Sequence, residues 1–145
     1  MSEEKAIFAA GCFWGIEKNF AALRGVTSTR VGYTGGDTKN PTYDAVCDKA
    51  TGHAEAVEVS FDPDQISYQN LLKEFFGMHS ASGAAGDWKN QYRSAIFYHS
   101  ESQKEQAEQY KASMERKLNA TLSTQIVPAQ TFWEAEDYHQ QYYMK

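Results

Sequence analysis

The sequence predicts a two-layer α+β sandwich that resembles a ferredoxin-like split-βαβ plait, with an extra helix and an aromatic C-terminal tail. Three observations carry this expectation. Short apolar or alternating runs, the mark of strands, interleave with stretches whose apolar residues recur at helical spacing, in the order β-α-β-β-α-β. The chain has 145 residues, 41% hydrophobic and 14% aromatic, which is material for one proper core. No internal repeat, low-complexity tract or linker divides it, so a single domain over residues 1–145 is expected.

The elements follow in order. Lys5 to Ala10 is a largely apolar run ending at Gly11 and reads as a buried strand. Phe13, Ile16, Phe20 and Leu23 then recur at helical spacing, with Glu17, Lys18 and Arg24 off that stripe, until Gly25 stops the pattern. Cys12 thus falls at the turn from strand to helix. A second strand is expected over Val26 to Tyr33. Thr34 to Gly52, with Gly35, Gly36, Asn40 and Pro41, reads as a long loop, a kind of segment that in compact domains is usually functional or disordered. From His53 to Phe61 the sequence alternates, placing His53, Glu55, Val57, Val59 and Phe61 on one strand face and Ala54, Ala56, Glu58 and Ser60 on the other. Ser67 precedes a helix with a stripe of Leu71, Leu72, Phe75 and Phe76, and Gly77 lies close to its end. A further loop, Ser80 to Gln91, leads to a strand at Ala95 to Tyr98. Ser100 and Gln103 make a capping-box pattern before a helix bearing Ala107, Tyr110, Met114 and Leu118. Gln125 to Val127 is a last short strand, and the aromatic-rich tail, Phe132 to Met144, is expected to wrap the body.

Composition removes several function classes. The net charge is −5 and the basic residues are scattered, so the electrostatic footprint of nucleic-acid binding is missing. The first residues are acidic and polar, and the longest mostly apolar run, Ala6 to Ile16, is too short to span a bilayer. A cytoplasmic, monomeric protein is expected, with neither a membrane nor a nucleic-acid partner. Of the two cysteines, Cys12 and Cys47, a structural pairing ranks low, because a cytosolic chain of this length needs no staple. A zinc site would want clustered ligands at paired spacings, whereas His53, His79, His99 and His139 are dispersed. Neither a metal nor an organic cofactor is expected.

Four sets of side chains carry potential chemistry. A thiol at a helix N-terminus faces unpaired N–H groups and the positive end of the dipole, both of which favour the thiolate, so Cys12 is either a buried inert thiol or a nucleophile. Glu55 shares the more hydrophobic strand face, where desolvation favours the protonated acid, unless it lies wet or ion-paired at the sheet end. Tyr43, in the long loop, and Tyr92, just before the fourth strand, offer neutral hydrogen-bond donors among nine tyrosines that are otherwise ordinary. Phe13 and Trp14 beside the thiol are either core or the walls of an apolar pocket.

Taken together, these positions fall into a known pattern. Gly11-Cys12-Phe13-Trp14-Gly15 resembles the active-site motif of the A-type peptide methionine sulfoxide reductases. The similarity continues through Gly32-Tyr33-Thr34-Gly35-Gly36, Asn40-Pro41-Thr42-Tyr43, Val46-Cys47 and Thr51-Gly52-His53-Ala54-Glu55, then Asp87, Gln91-Tyr92-Arg93-Ser94 and Ala135-Glu136-Asp137-Tyr138-His139-Gln140-Gln141-Tyr142. The resemblance implies reduction of the S epimer of methionine sulfoxide, free or in peptides and proteins. Cys12 would be the nucleophile that becomes a sulfenic acid and Glu55 the proton donor, with Tyr43 and Tyr92 hydrogen-bonding the oxygen, Asp87 organising the site, and Phe13 and Trp14 receiving the methyl group.

The chain departs from the family pattern in two places. His79 to Asn90 is altered and shorter, although the spacing from Asp87 to Tyr92 survives. No cysteine follows Cys47, where many relatives carry one or two recycling cysteines near the C-terminus. An external thiol, glutaredoxin with glutathione or else thioredoxin, is therefore the expected reductant, with Cys47 as a weaker candidate for resolving the sulfenic acid. Some single-cysteine relatives carry selenocysteine where Cys12 stands. The rival reading is a thiol-based redox sensor or binding module for methionine-like side chains; against it stands Glu55 with its tyrosines, since binding alone has no use for an acid.

Overall fold

The computed structural model describes residues 3–11, 13–36, 39–47, 52–78 and 93–144. It contains β1 (Glu4–Ala10), α1 (Phe13–Ala21), β2 (Val26–Thr34), α2 (Tyr43–Cys47), β3 (Ala54–Phe61), α3 (Tyr68–Gly77), β4 (Ser94–Tyr98), α4 (Glu101–Leu118), β5 (Gln125–Pro128) and β6 (Trp133–Glu134), followed by 3-10 turns at Asp137–His139 and Tyr142–Met144. The strands form one six-stranded sheet of order β5-β4-β1-β3-β2-β6. β1 runs antiparallel to β3 and β4, β2 antiparallel to β3 and β6, and β5 parallel to β4. The inner order β4-β1-β3-β2, with α1 joining β1 to β2 and α3 lying between β3 and β4, is the expected split-βαβ plait.

Alternation along the strands decides which side chains meet the helices. Ala6, Phe8 and Ala10 of β1, Val31 and Tyr33 of β2, and Val57, Val59 and Phe61 of β3 pack with Phe13, Ile16 and Phe20 of α1 and with Leu71, Leu72, Phe75 and Phe76 of α3. Phe8 is the hub, stacked on Phe20, Tyr68 and Phe75 at centroid distances of 5.1, 6.0 and 5.3 Å. Burying one such ring is worth roughly 1.5–3 kcal/mol, against about 1 kcal/mol for a typical helix cap. All eight residues of β3 are buried, so its second face is covered too. There Ile7, Ala9, Ala54, Ala56, Ala95 and Phe97 pack under Val127, Ala129 and Phe132, the alanines leaving room for the chain to cross closely.

The caps fall where the sequence places them. Ser67 Oγ accepts from the Asn70 N–H at 3.1 Å and Ser100 Oγ from the Gln103 N–H at 3.2 Å. Gln103 reaches back to accept the His99 N–H at 2.9 Å, one residue earlier than a capping box requires. The structure corrects one expectation and adds three details. The stretch Thr34 to Gly52 is not loop throughout: it contains α2, whose first turn is capped by Thr42 Oγ1 accepting the Ala45 N–H at 3.2 Å. Leu118 is 54% exposed, because α4 stops at left-handed Asn119 and Leu122 packs against the core instead. The tail does wrap the body, but it does so partly as a sixth strand, β6. Glu17, off the apolar stripe in the sequence, is fully buried. The loop from Ser80 to Gln91 lies outside the described residues.

Glu17 is buried because it clamps the tail. Its Oε2 accepts from the Thr29 hydroxyl and from Gln141 Nε2, and its Oε1 from the Gln141 backbone N–H, each at 2.8 Å. Glu17→Ala would remove the acceptor of the Thr29 hydroxyl and of the Gln141 backbone N–H, leaving Gln141 Nε2 only the Thr29 carbonyl, with each unsatisfied group costing about 1–3 kcal/mol. The expected result is a loss of about 2–4 kcal/mol in urea unfolding, with the chain near Gln141 becoming the first site of limited proteolysis.

Candidate active site

The site begins where β1 ends. Gly11 has φ of 108°, a conformation side chains resist, and it turns the chain so that α1 starts at Phe13. The first N–H groups of a helix have no partner within it. At α1 the Phe13 N–H donates to Glu55 Oε1 at 3.3 Å. Glu55 comes from β3, only 1% exposed, on the face shared with Val57, Val59 and Phe61. Its cross-strand partner is Tyr33 of β2. The predicted acid is therefore buried at the positive end of α1, and Cys12 is the residue that precedes that helix in the sequence.

The tail closes the site from the other side. β6 pairs with Gly32 and Tyr33, and a Cβ on Gly32 would come within 2.4 Å of the Trp133 carbonyl, so only glycine permits this approach. Beyond β6, the Gln140 carboxamide pairs with the backbone of Val31, its Oε1 accepting the N–H and its Nε2 donating to the C=O, both at 2.9 Å. Glu136 Oε1 accepts from the Tyr33 hydroxyl at 2.8 Å and Oε2 from the Tyr43 N–H at 3.1 Å. His139, 1% exposed, lies with its ring centroid 5.2 Å from Phe13, 5.6 Å from Trp14 and 4.7 Å from Tyr43. Trp14 Nε1 donates at 2.9 Å to His139 Nδ1, which acts as the acceptor. Tyr142 stacks on Trp14 at 3.9 Å and 9°.

Electrostatics favour one charged and one neutral member in this cluster. Burial, then the bond to Glu136 and the Glu136 charge, push the Tyr33 phenol far up, so it stays a donor. Burial raises the Glu136 carboxyl, but N–H groups of its own backbone and of Tyr43, the Tyr33 hydroxyl and nearby His139 outweigh it and leave the carboxyl below its ordinary 4.5. A lowered folded-state value means that the stabilisation is fully present above the ordinary value and is lost as pH falls through the lowered one. Acidification below pH 4.5 should therefore loosen the Tyr33–Glu136–Tyr43 link, seen as a near-ultraviolet circular-dichroism transition that Glu136→Gln removes.

Of the residues singled out in the sequence, Phe13, Trp14, Tyr43 and Glu55 are brought together, with His139 among three of them. Cys12, Asp87 and Tyr92 lie outside the described residues, as does the side chain of Cys47, which ends α2. Sequence reasoning left out Tyr33, Glu136 and His139 as site members. The signal available for them was the run Glu136 to Tyr142, which matched the family motif without any local periodicity to say what it touched. Among the described residues no group of three His, Cys, Asp or Glu side chains is placed to hold a metal, and no helix is long and apolar enough to cross a membrane.

A plait with a buried carboxyl capping the helix that follows its N-terminal cysteine, walled by a C-terminal aromatic cluster, defines a class of small α+β domain whose candidate site is the β1–α1 turn. The model of one family, peptide methionine sulfoxide reductase, matches residues 4–145. The chain is 48% identical to MsrA of Acidobacterium capsulatum, covering 97% of this chain and 94% of that protein. It is 50% identical to MsrA of Methanothermobacter thermautotrophicus, covering 98% and 87%. Among solved structures, methionine sulfoxide reductase A of Corynebacterium diphtheriae superposes with a TM-score of 0.85 at 34% identity, covering 98% of this chain and 74% of that one. Mxr1 of Saccharomyces cerevisiae, crystallised in complex with Trx2, shares the fold with a TM-score of 0.68 at 22% identity, covering 97% and 84%. The chain belongs to the peptide methionine sulfoxide reductase family, and it is a peptide-methionine (S)-S-oxide reductase of the MsrA type.

Proposed function

We propose that the chain reduces the S epimer of methionine sulfoxide, free or within peptides and proteins, through a sulfenic acid on Cys12. The Cys12 thiolate attacks the sulfoxide sulfur; Glu55 supplies a proton to the oxygen, which Tyr43 and Tyr92 hydrogen-bond while Asp87 organises the site. The oxygen passes to Cys12, the substrate sulfur keeps an electron pair, and methionine leaves. Cys12 is thereby oxidised to the sulfenic acid. An external thiol condenses with that acid, releasing water and forming a mixed disulfide, and a second thiol frees Cys12. Phe13 and Trp14 receive the methyl group of the substrate. Glutaredoxin with glutathione or thioredoxin supplies the thiols, and Mxr1 in complex with Trx2 is the precedent within the fold for the latter.

The observation that carries this reading is the bond from the Phe13 N–H to buried Glu55, which holds a carboxyl at the start of the helix after Cys12. Counting methionine formed per enzyme with excess dithiothreitol tests it. Many turnovers are expected, and Cys47→Ser should retain them; a stop near one equivalent would make the protein a sensor, and an obligatory Cys12–Cys47 disulfide after one oxidising turnover would make Cys47 the resolving thiol.

A further inference from the structure

We propose that Glu136 is a positioning residue for the reduction: its carboxylate locks the start of α2 and so fixes where Tyr43 meets the sulfoxide oxygen. The inference rests on Tyr43 acting as a donor to that oxygen. α2 has five residues, too few to hold its own conformation in water, and it interrupts a long connection. Its placement therefore depends on bonds from outside. Thr42 supplies one cap within the segment, at the Ala45 N–H. The Tyr43 N–H is taken by Glu136 Oε2 at 3.1 Å, from a residue 93 positions away in the chain.

The other oxygen of the same carboxylate is anchored on the sheet. Glu136 Oε1 accepts from the hydroxyl of Tyr33, which is fully buried and directly opposite Glu55 in the β2–β3 ladder. One side chain thus ties the backbone of the tyrosine proposed as oxygen donor to the strand position beside the proposed acid. Glu136 is in turn fixed by its neighbours: the Ala135 N–H donates to the Val31 C=O at 3.0 Å, and the His139 N–H to the Glu136 C=O at 2.9 Å. Only a carboxylate offers an acceptor oxygen to each donor; an amide at this position has one oxygen and an NH2 group that repels the second. The lowered acidity of Glu136 accords with a carboxylate kept charged for this purpose.

A misplacement of about 1 Å can cost about 10²-fold in rate, so Glu136→Gln should lower kcat by about 10–100-fold with KM within about threefold. The decisive measurement is a double-mutant cycle of Glu136→Gln with Tyr43→Phe, in steady state with saturating dithiothreitol. If Glu136 acts through the Tyr43 hydroxyl, the double variant is no slower than Tyr43→Phe alone. Losses that multiply, or wild-type kcat in Glu136→Gln, overturn the inference while leaving Tyr43 in its role. Wild-type kcat in Tyr43→Phe overturns the role of Tyr43 and the inference with it. Should Glu136→Gln fail to fold, Glu136→Asp carries the same cycle, since its carboxylate stays charged but falls one methylene short of spanning both donors.

Discussion

Cys12→Ser is expected to form no methionine, with a rate at least about 10⁴-fold below that of the parent chain. The reason lies in electron balance as much as in nucleophilicity. In the proposed reaction the two electrons that convert sulfoxide to sulfide come from the cysteine sulfur, which ends the step carrying the oxygen. A serine oxygen has no comparable oxidised state to occupy. The variant should nevertheless fold, because the Gly11 turn and the Phe13–Glu55 bond on either side of the position do not use the thiol. Chromatographic counting of methionine, beside near-ultraviolet circular dichroism, separates lost chemistry from lost structure. Mass spectrometry of the parent chain after one turnover without reductant should find one added oxygen atom on Cys12. A serine variant that turns over at the parent rate would sink the assignment.

Glu55→Gln should slow the same step by about 10²–10⁴-fold, the range usual for removing a positioned proton donor. This substitution is informative because it spares the structural role of the residue. Glutamine keeps an oxygen for the Phe13 N–H and nearly the same volume in a space that is 1% exposed. What it lacks is a transferable proton. Stability in urea should therefore change by about 1 kcal/mol or less, while kcat falls and its dependence on pH flattens. A variant with the parent pH profile and rate would show that the carboxyl caps α1 and does nothing more.

Glu55 also shows what the sequence could convey. Alternation from His53 to Phe61 put it on the apolar face, and the structure has it there. The same local periodicities place α1, α3 and β1 to β5 within about two residues, since each signal is contained in a few neighbouring positions, whereas β6 is too short to carry one. The burial of Glu17 has no such local signal. A charged residue off a helical stripe looks solvated unless its partners are known, and these lie 12 and 124 positions away. α2 escaped notice because five residues between glycines and a proline give no period to detect, and its cap at Thr42 is helped by Glu136 from the far end of the chain. The family motif marked Glu136 to Tyr142 as significant, yet nothing local could say that this run would close over Phe13 and Trp14.

The carboxamide of Gln140 has a consequence beyond holding the tail. β6 is only two residues long, so past it β2 would present open N–H and C=O groups to any passing extended chain. Gln140 takes the Val31 N–H and shares the Val31 C=O with the Ala135 backbone N–H, so a side chain completes the pairing that a neighbouring strand would make. The proposed substrates, oxidised peptides and proteins, include damaged, partly unfolded polypeptides, the molecules most prone to add themselves to a bare sheet edge. At Val31 such a chain finds no free N–H or C=O to pair with, so this stretch of β2 does not invite an added strand.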